Sequence, residues 1–335
     1  MRVAIIGAGS MGWVHAAGWA TTGATLAGIV AAHRDSAAKL AEAYGAAVYD
    51  SLDAVLPYAD VVDVCVPTDL HRDFTLKAAA AHKHVMCEKP IARTVQDGQA
   101  MIGACRKAGV RLFIAMVVRF FPQYRMIHDA LVAGRIGKPA VIRLTRAAYR
   151  PQKQGDNWFM DFARSGGPLL DMLIHDFDIA RWLAGDVERV YARCSPGQGP
   201  AMPTGDYAQV LLRFRDGGIA HVEGGWAYPP GIFRTKIEVA GDAGLIEWDS
   251  DSTAPLVSHL QSGAGEAAEV GLPLSPLVED PYTTEIRHFY DALANDKPFD
   301  VSPAEALAAV HIALAATESA LSGRVVSLSP LPEVA

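Results

Sequence analysis

A chain of 335 residues, half of them hydrophobic, carries material for about two packed domains. Its formal net charge of −7, with no long basic run, excludes nucleic acid as the main partner. Four cysteines (Cys65, Cys87, Cys105 and Cys194) form no CxxC pair and no His–Cys cluster of zinc spacing, which points to reduced thiols and no metal. The start, "MRVAIIGAGSMG", has an apolar run too short for a signal peptide, and no apolar stretch is expected to reach the length of a membrane span. The expectation is a soluble, cytoplasmic protein with neither membrane nor nucleic acid as partner.

In chain order, "RVAII" reads as a short strand, followed by "GAGSMG" and then by helix-like sequence from Ser10 to Thr22. Gly7, Ala8, Gly9, Ser10, Met11 and Gly12 fit G-x-G-x-x-G in the strand–turn–helix context that gives the pattern meaning. Gly7 permits the tight turn, Gly9 lets the backbone approach a pyrophosphate, and Gly12 lets the helix pack close to the strand. The helix start offers unpaired N–H groups to the anion. A plainer alternative is a turn whose glycines serve only the turn; position and flanks favour the cofactor. The second strand, "TLAGIV", leads to Ala31 and Ala32 where an NAD site usually has an acid. His33 and Arg34 follow. Without a carboxylate to repel a 2′-phosphate, and with Arg34 able to pair with one, the reading leans toward NADP over NAD. The alternative is a solvated Arg34 with Asp35 capping the next helix.

The Ala-rich helix "DSAAKLAEAYG" stops at Gly45, and "VVDVCVP" is a buried-strand run ended by Pro67. A helix from about Asp69 to Ala81, the strand "HVMCE", a helix from about Val95 to Ala108 and the strand "RLFIAMVV" complete the alternation of a parallel sheet with covering helices. "HVMCE" ends in Glu88-Lys89-Pro90, at the strand end where such sheets hold ligands. A half-buried Lys there can hold a substrate hydroxyl or help move its proton, although a lone Lys after a strand is more often a surface charge.

The pattern changes near Arg119. A helix from about Pro122 to Ala133 and a long strand, "AVIRLTRAAY", lead to the apolar helix "GGPLLDMLIHDFDIARWL", Gly166 to Leu183. The runs "VERVYARC", "YAQVLLRF", "GIAHVEGGW", "TKIEVAG" and "GLIEWD", separated by turn signals, indicate an antiparallel sheet. Asp251 to Asp280 reads as irregular loop, and helices at about Thr283–Asn295 and Pro303–Ser322 close the chain.

The glycine loop, "VPTDLH", "EKP" and "GGPLLDMLIHDFD", in that order, resemble the glucose–fructose oxidoreductase/inositol dehydrogenase (Gfo/Idh/MocA) family over nearly the whole chain. The resemblance implies a doubly wound Rossmann domain (1–119) that binds NAD(P). It implies an α+β domain (120–335) with an open, mostly antiparallel sheet that binds substrate and mediates dimers or tetramers; the last helices are expected to pack back on the first domain. It implies that Lys89 lies near nicotinamide and substrate, with Glu88 beside it, and that Val66, Pro67, Thr68 and His71 line the nicotinamide side. Arg119, in "MVVRFFP", falls where relatives often contact substrate, although Val118 and Phe120 flank it where relatives are often more polar.

Within the opening helix, Asp171, His175 and Asp178 are spaced to share one face. Burying an acid and an imidazole unpaired would cost several kcal/mol, so partners or a cleft are expected. The functional reading makes His175 the general base of an alcohol, with Asp171 binding a neighbouring hydroxyl and biasing the ring toward its protonated form. The resemblance matches this pair to the family's catalytic Asp and His. The alternative is a structural ladder. Asp178 is expected to be structural, salt-bridging Arg181 or another cation of the second domain. Trp158 is a candidate wall for a sugar ring, Asp156 and Asn157 are loop residues able to bind hydroxyls, and Tyr228 is a weaker candidate. The leading expectation is an NAD(P)-dependent oxidoreductase of a cyclitol, sugar or polyol; a redox-neutral glycosidase and a cofactor-binding regulator are the alternatives.

Overall fold

In the computed structural model, residues 1–153, 155–195, 202–251 and 279–332 are described. The first third alternates as the sequence requires. β1 (Arg2–Ile6), α1 (Ser10–Ala20), β2 (Thr25–Val30), α2 (Arg34–Tyr44), β3 (Ala47–Tyr49), α3 (Leu52–Val55), β4 (Val61–Val64), α4 (His71–Ala80), β5 (His84–Glu88), α5 (Val95–Lys107) and β6 (Leu112–Ala115) follow one another. The strands form a parallel sheet in the order β3-β2-β1-β4-β5-β6. β1, β4, β5 and β6 are almost wholly buried, as strands covered by helices on both faces must be, and this explains their near-continuous apolar runs. The β3 strand and the one-turn α3 have no counterpart in the sequence reading, because three or four residues are too few to show a period. Local signals set the helix ends: Thr94 accepts the Asp97 N–H at the start of α5, and Gly45 closes α2 at φ +67°.

The second part contains α6 (Pro122–Val132), β7 (Pro139–Tyr149), α7 (Phe162–Ser165), α8 (Gly167–Asp171), α9 (Ile174–Ala184), β8 (Val187–Ser195), β9 (Tyr207–Phe214), β10 (Gly217–Tyr228), β11 (Phe233–Gly241) and β12 (Leu245–Asp249). With β13 (Val326–Ser327) they form a sheet ordered β12-β11-β7-β10-β9-β8-β13, antiparallel at every pairing except β7 with β10. Ala208, Val210, Leu212 and Phe214 of β9 are buried while Gln209, Leu211 and Arg213 between them are exposed, the alternation of a sheet covered on one face. α8 and α9 lie on the covered face, against β7, β9 and β10.

The chain divides into two units at Phe120/Phe121, and residues 279–307 belong with the first unit. Within that unit α10 (Pro281–Ala294) packs on α1: a Cβ on Gly18 would lie 2.4 Å from Ile286 Cδ1, and Trp19 meets Phe289 edge to face. The closing helix α11 (Pro303–Ser322) has 20 residues and contains an 18-residue window apolar enough to match a membrane span by length and composition, contrary to the sequence expectation. Half of it is buried within the protein, as in a core helix. The stretch expected to be irregular, Asp251 to Asp280, lies almost entirely outside the described residues.

Candidate active site

In the first unit, β1, β4 and β5 lie side by side, and each ends in a segment marked by the sequence. β1 runs into the glycine turn, β4 toward Val66–Pro67–Thr68, and β5 into Glu88–Lys89. The winding reverses between β1 and β4, where open sheets of this kind leave a crevice at their carboxyl ends. Gly7 sits at φ +113°, and a Cβ there would lie 2.2 Å from Cys65 O; one on Gly12 would lie 2.1 Å from Gly7 O. Both must be glycine. Gly9 has extended backbone that any residue adopts, and a Cβ there would meet nothing within 4 Å. The volume over Gly9 is open. α1 starts beside it with no side-chain cap and no acid in its first turn, so the amides around Ser10, Met11 and Gly12 are left for an anion. Ala8 completes the turn. Thr68 Oγ1 is buried with no hydrogen-bond partner among the described residues. These features fit the phosphates and polar edge of a dinucleotide. His33 and Arg34 are exposed at the start of α2, where Arg34 pairs with Asp50.

Lys89 is half-buried, and the turn carrying it is gripped from both sides. Its own N–H donates to Glu88 Oε2 at 3.0 Å, and Glu88 Oε1 lies 3.0 Å from Nε2 of the buried His15. His15 Nδ1 lies 2.9 and 3.0 Å from the two oxygens of Asp63, to which Trp19 Nε1 donates at 2.7 Å. Burial opposes charge on the imidazole, but Asp63 outweighs it and holds His15 well above the usual imidazole range. His15, Asp63 and Cys65 bring donor atoms within 4.8 Å of one another, yet both His15 nitrogens already face carboxylates. On the other side of the turn, His71 Nδ1 lies 2.8 Å from Pro90 O and Nε2 lies 3.0 Å from Val66 O. Burial lowers its pKa, leaving one ring proton between two carbonyls. His71, expected on the nicotinamide side, therefore braces the loops that carry Thr68 and Lys89, with both nitrogens turned to backbone.

Arg119, expected at the substrate, is buried and donates within this unit to Glu305 Oε1 at 3.0 Å and Asp300 O at 3.3 Å. Its flanks Val118 and Phe120 are buried too, so the apolar setting that departs from the family pattern accompanies a structural tie.

In the second unit the expected single helix from Gly166 to Leu183 is two helices. Pro168 O accepts the N–H groups of both Met172 and Leu173, at 3.1 and 2.9 Å, and α9 restarts at Ile174. Asp171 ends α8 and is buried; His175 lies in the first turn of α9 and is half-buried. They are four residues apart in sequence but on different helices. Asp178 is buried in α9, and Arg181 pairs with Asp186 at 2.8 Å. Trp158 is 9 % exposed and stacks on Phe159 at 4.0 Å. Asp156 pairs with Arg164 at 2.8 Å, Asn157 Nδ2 donates to Pro151 O at 2.9 Å, and the Tyr228 ring lies 6.4 Å from that of Tyr207.

Residues 1–116 match the model of an oxidoreductase family with an NAD-binding Rossmann fold, and residues 124–247 match the GFO/IDH/MocA C-terminal domain. The chain belongs to the GFO/IDH/MocA oxidoreductase family. Among its relatives, myo-inositol 2-dehydrogenase of Thermotoga maritima is 32 % identical over 98 % of each chain. The 1,5-anhydro-D-fructose reductase of Ensifer adhaerens is 32 % identical over 80 % of this chain and 79 % of its own. The crystal structure of GenD2 from gentamicin A biosynthesis, in complex with NAD, superposes with a TM-score of 0.85 at 27 % identity, over 98 % of this chain and 97 % of that one. A family member thus has a parallel NAD-binding sheet and a mostly antiparallel partner sheet, as the sequence led one to expect.

Sequence reasoning missed the residues beneath the site. His15 and Asp63 carried a usable signal: each is a lone ionisable side chain in an otherwise apolar run, "WVHAAGW" and "VVDVCV". Arg146 did too, because strand alternation places it on the same face as Ile142 and Leu144; it is buried and pairs with the buried Asp176 at 2.7 Å.

Proposed function

We propose that this protein is an NAD(P)-dependent dehydrogenase that interconverts a secondary alcohol and a ketone on a cyclitol, sugar or related polyol. One observation carries the reading: the open glycine turn and the half-buried Lys89 occupy carboxyl ends of strands on either side of the same winding reversal. The names of the relatives, inositol 2-dehydrogenase and anhydrofructose reductase, support the substrate class. The amides at the start of α1 bind the cofactor's phosphates, and Val66, Pro67 and Thr68 flank its redox end. When bound, the cofactor would supply the acceptor of a hydride from the carbinol carbon, or its donor in the reverse direction. In the oxidative direction the alcohol loses that hydride and its hydroxyl proton, leaving the ketone. His175 accepts the proton, Asp171 orders a neighbouring hydroxyl, Lys89 donates a hydrogen bond to the reacting oxygen, and Trp158 offers an aromatic face to the ring.

The cofactor preference leans toward NADP: Ala31 and Ala32 leave no carboxylate after β2, and the exposed Arg34 exchanges Asp50 for the 2′-phosphate. The enzyme is proposed to act in the cytoplasm as a homodimer or homotetramer.

Nicotinamide absorbance followed against cyclitols, aldoses and sugar acids, with NAD and NADP in parallel, tests the reading. One substrate class should respond, and Lys89→Ala and His175→Ala should each lower kcat by about 100-fold or more. Full turnover in Lys89→Ala refutes the assignment of Lys89, and sugar release without net cofactor change refutes the reaction.

A further inference from the structure

His15 lies outside any contact expected of substrate or cofactor, yet it is fully buried between two acids. We infer that His15 is a positioning residue for Lys89: carrying a proton on each ring nitrogen, it ties Asp63 at Nδ1 to Glu88 at Nε2 and so fixes the Glu88–Lys89 turn. The inference rests on the reading of Lys89 as a group that acts on substrate.

The connectivity is continuous. Trp19 Nε1 donates to Asp63 Oδ2 at 2.7 Å, which orients that carboxylate from the same helix that carries His15. Asp63 sits in the middle of β4, buried on both sides, and cannot move without moving the sheet. His15 spans from it to Glu88 Oε1 at 3.0 Å, and Glu88 Oε2 accepts the Lys89 N–H at 3.0 Å. The backbone that carries Lys89 is therefore hung, through two charge-assisted links, from the central strand next to the glycine turn. A neutral imidazole has one N–H and cannot donate to both acids; with two N–H groups, both contacts are satisfied. The groups facing the ring are Asp63 and Cys65 from β4 and its end, Glu88 from β5 and Glu285 from α10. Burial and Asp63 push the Cys65 thiol up, and burial and Glu88 hold Glu285 well above the carboxylate range, so these two add no charge to the cluster. One imidazolium then stands between two carboxylates, the arrangement that most favours its second proton.

Side-chain NMR of the full-length, cofactor-free protein with 15N-labelled histidine tests the protonation directly, His15 being assigned by its loss in a variant. Two N–H protons on that ring at about pH 8, above the ordinary titration of imidazole, are expected; a single N–H there overturns the inference. The coupling to Lys89 is tested with His15→Gln and His15→Asn. The glutamine amide reaches the place of Nε2 and keeps the link to Glu88, whereas the asparagine amide reaches only that of Nδ1 and Asp63. His15→Asn should lose about 100-fold in kcat, the scale of a small misplacement of a reacting group, with KM nearly unchanged, and His15→Gln should recover most of that loss. A merely structural role would lower the yield of folded protein and leave both variants with equal kcat per folded molecule, which overturns the inference. Lys89→Ala run beside them separates the failures: if it is inactive while His15→Asn turns over normally, only the inference fails; if it is fully active, the assignment of Lys89 fails and the inference with it.

Discussion

Gly9 and Gly12 sit three residues apart in one motif, yet a methyl group does different things at each. At Gly12 it would press on Gly7 O, a backbone atom with nowhere to go, so Gly12→Ala should cost about 1–3 kcal/mol of stability by overpacking. At Gly9 it meets open space and an ordinary backbone conformation. Gly9→Ala should therefore melt with the parent, within about 0.5 kcal/mol, while weakening cofactor binding by about tenfold or more as the methyl crowds the anion. Titration of NADH or NADPH into both variants by fluorescence, beside their thermal melts, checks this; unimpaired binding in Gly9→Ala means that the open volume does not seat a phosphate. Glu285 carries a second prediction. It is fully buried and neither oxygen has a partner among the described residues. Burial, then Glu88, raises its pKa well above the usual value. The folded protein thus keeps a proton that the unfolded chain releases: its contribution is intact below the ordinary carboxylate pKa and is lost as pH rises through the raised one. Glu285→Met should be more stable than the parent by about 1–3 kcal/mol near pH 8, with the gap closing toward pH 4. His15 titrates in the same sense, and its interaction with Glu285 enters the difference between the two proteins as well. Parallel melting curves across that range would rule out the buried acid as the source. At this scale the sequence showed the glycines, because their spacing is the signal; it marked His15 and Asp63 as lone charges in apolar runs without naming their partners, and it hid Glu285, whose neighbours in "TTEIRH" are mostly polar.

Helix α9 carries His175, and its neighbour Asp176 fastens it to the sheet. Arg146 of β7 grips Asp176 with Nε at 2.7 Å and Nη2 at 3.3 Å, both residues being buried. Such a pair is costly to desolvate and worse to break, since either partner alone is a buried, uncompensated charge. Arg146→Met or Asp176→Leu alone should lose about 3–5 kcal/mol in urea unfolding, and the double variant should regain most of it. Additive losses would mean that the two side chains do not act as a pair. If α9 is held only by this tie, the regained stability returns without turnover; if apolar packing suffices, both return. The elements themselves were largely legible: alternation gave the parallel sheet, and period two with turn residues gave the strands of the second. The break between α8 and α9 was not, because Met172 and Leu173 continue the apolar pattern and only the sharing of Pro168 O by two N–H groups ends the first helix. Nor was the parallel pairing of β7 with β10, since hairpin signals speak only of neighbours in sequence.

Among the described residues, α8 and α9 cover one face of the seven-stranded sheet, and the alternation of its strands leaves apolar side chains exposed on the other. Leu211 of β9 and Ile219 of β10 are 48 % and 43 % exposed, and the register brings them close: Leu211 pairs with His221, and Ile219 pairs with Val141 on its other side. An apolar group of this kind on an open sheet is a contact surface in search of an apolar partner. In the proposed homodimer or homotetramer, a second copy of the same face would satisfy it. Association stabilises only the folded form, so the melting temperature of the parent should rise with protein concentration. Leu211→Lys combined with Ile219→Lys sets like charges against each other across the symmetric contact. Sedimentation should then find single chains, with a melting temperature independent of concentration and a first unit that still binds cofactor. If the parent sediments as a single chain at micromolar concentration, this face does not join copies of the protein. If the double variant stays assembled, some other surface does.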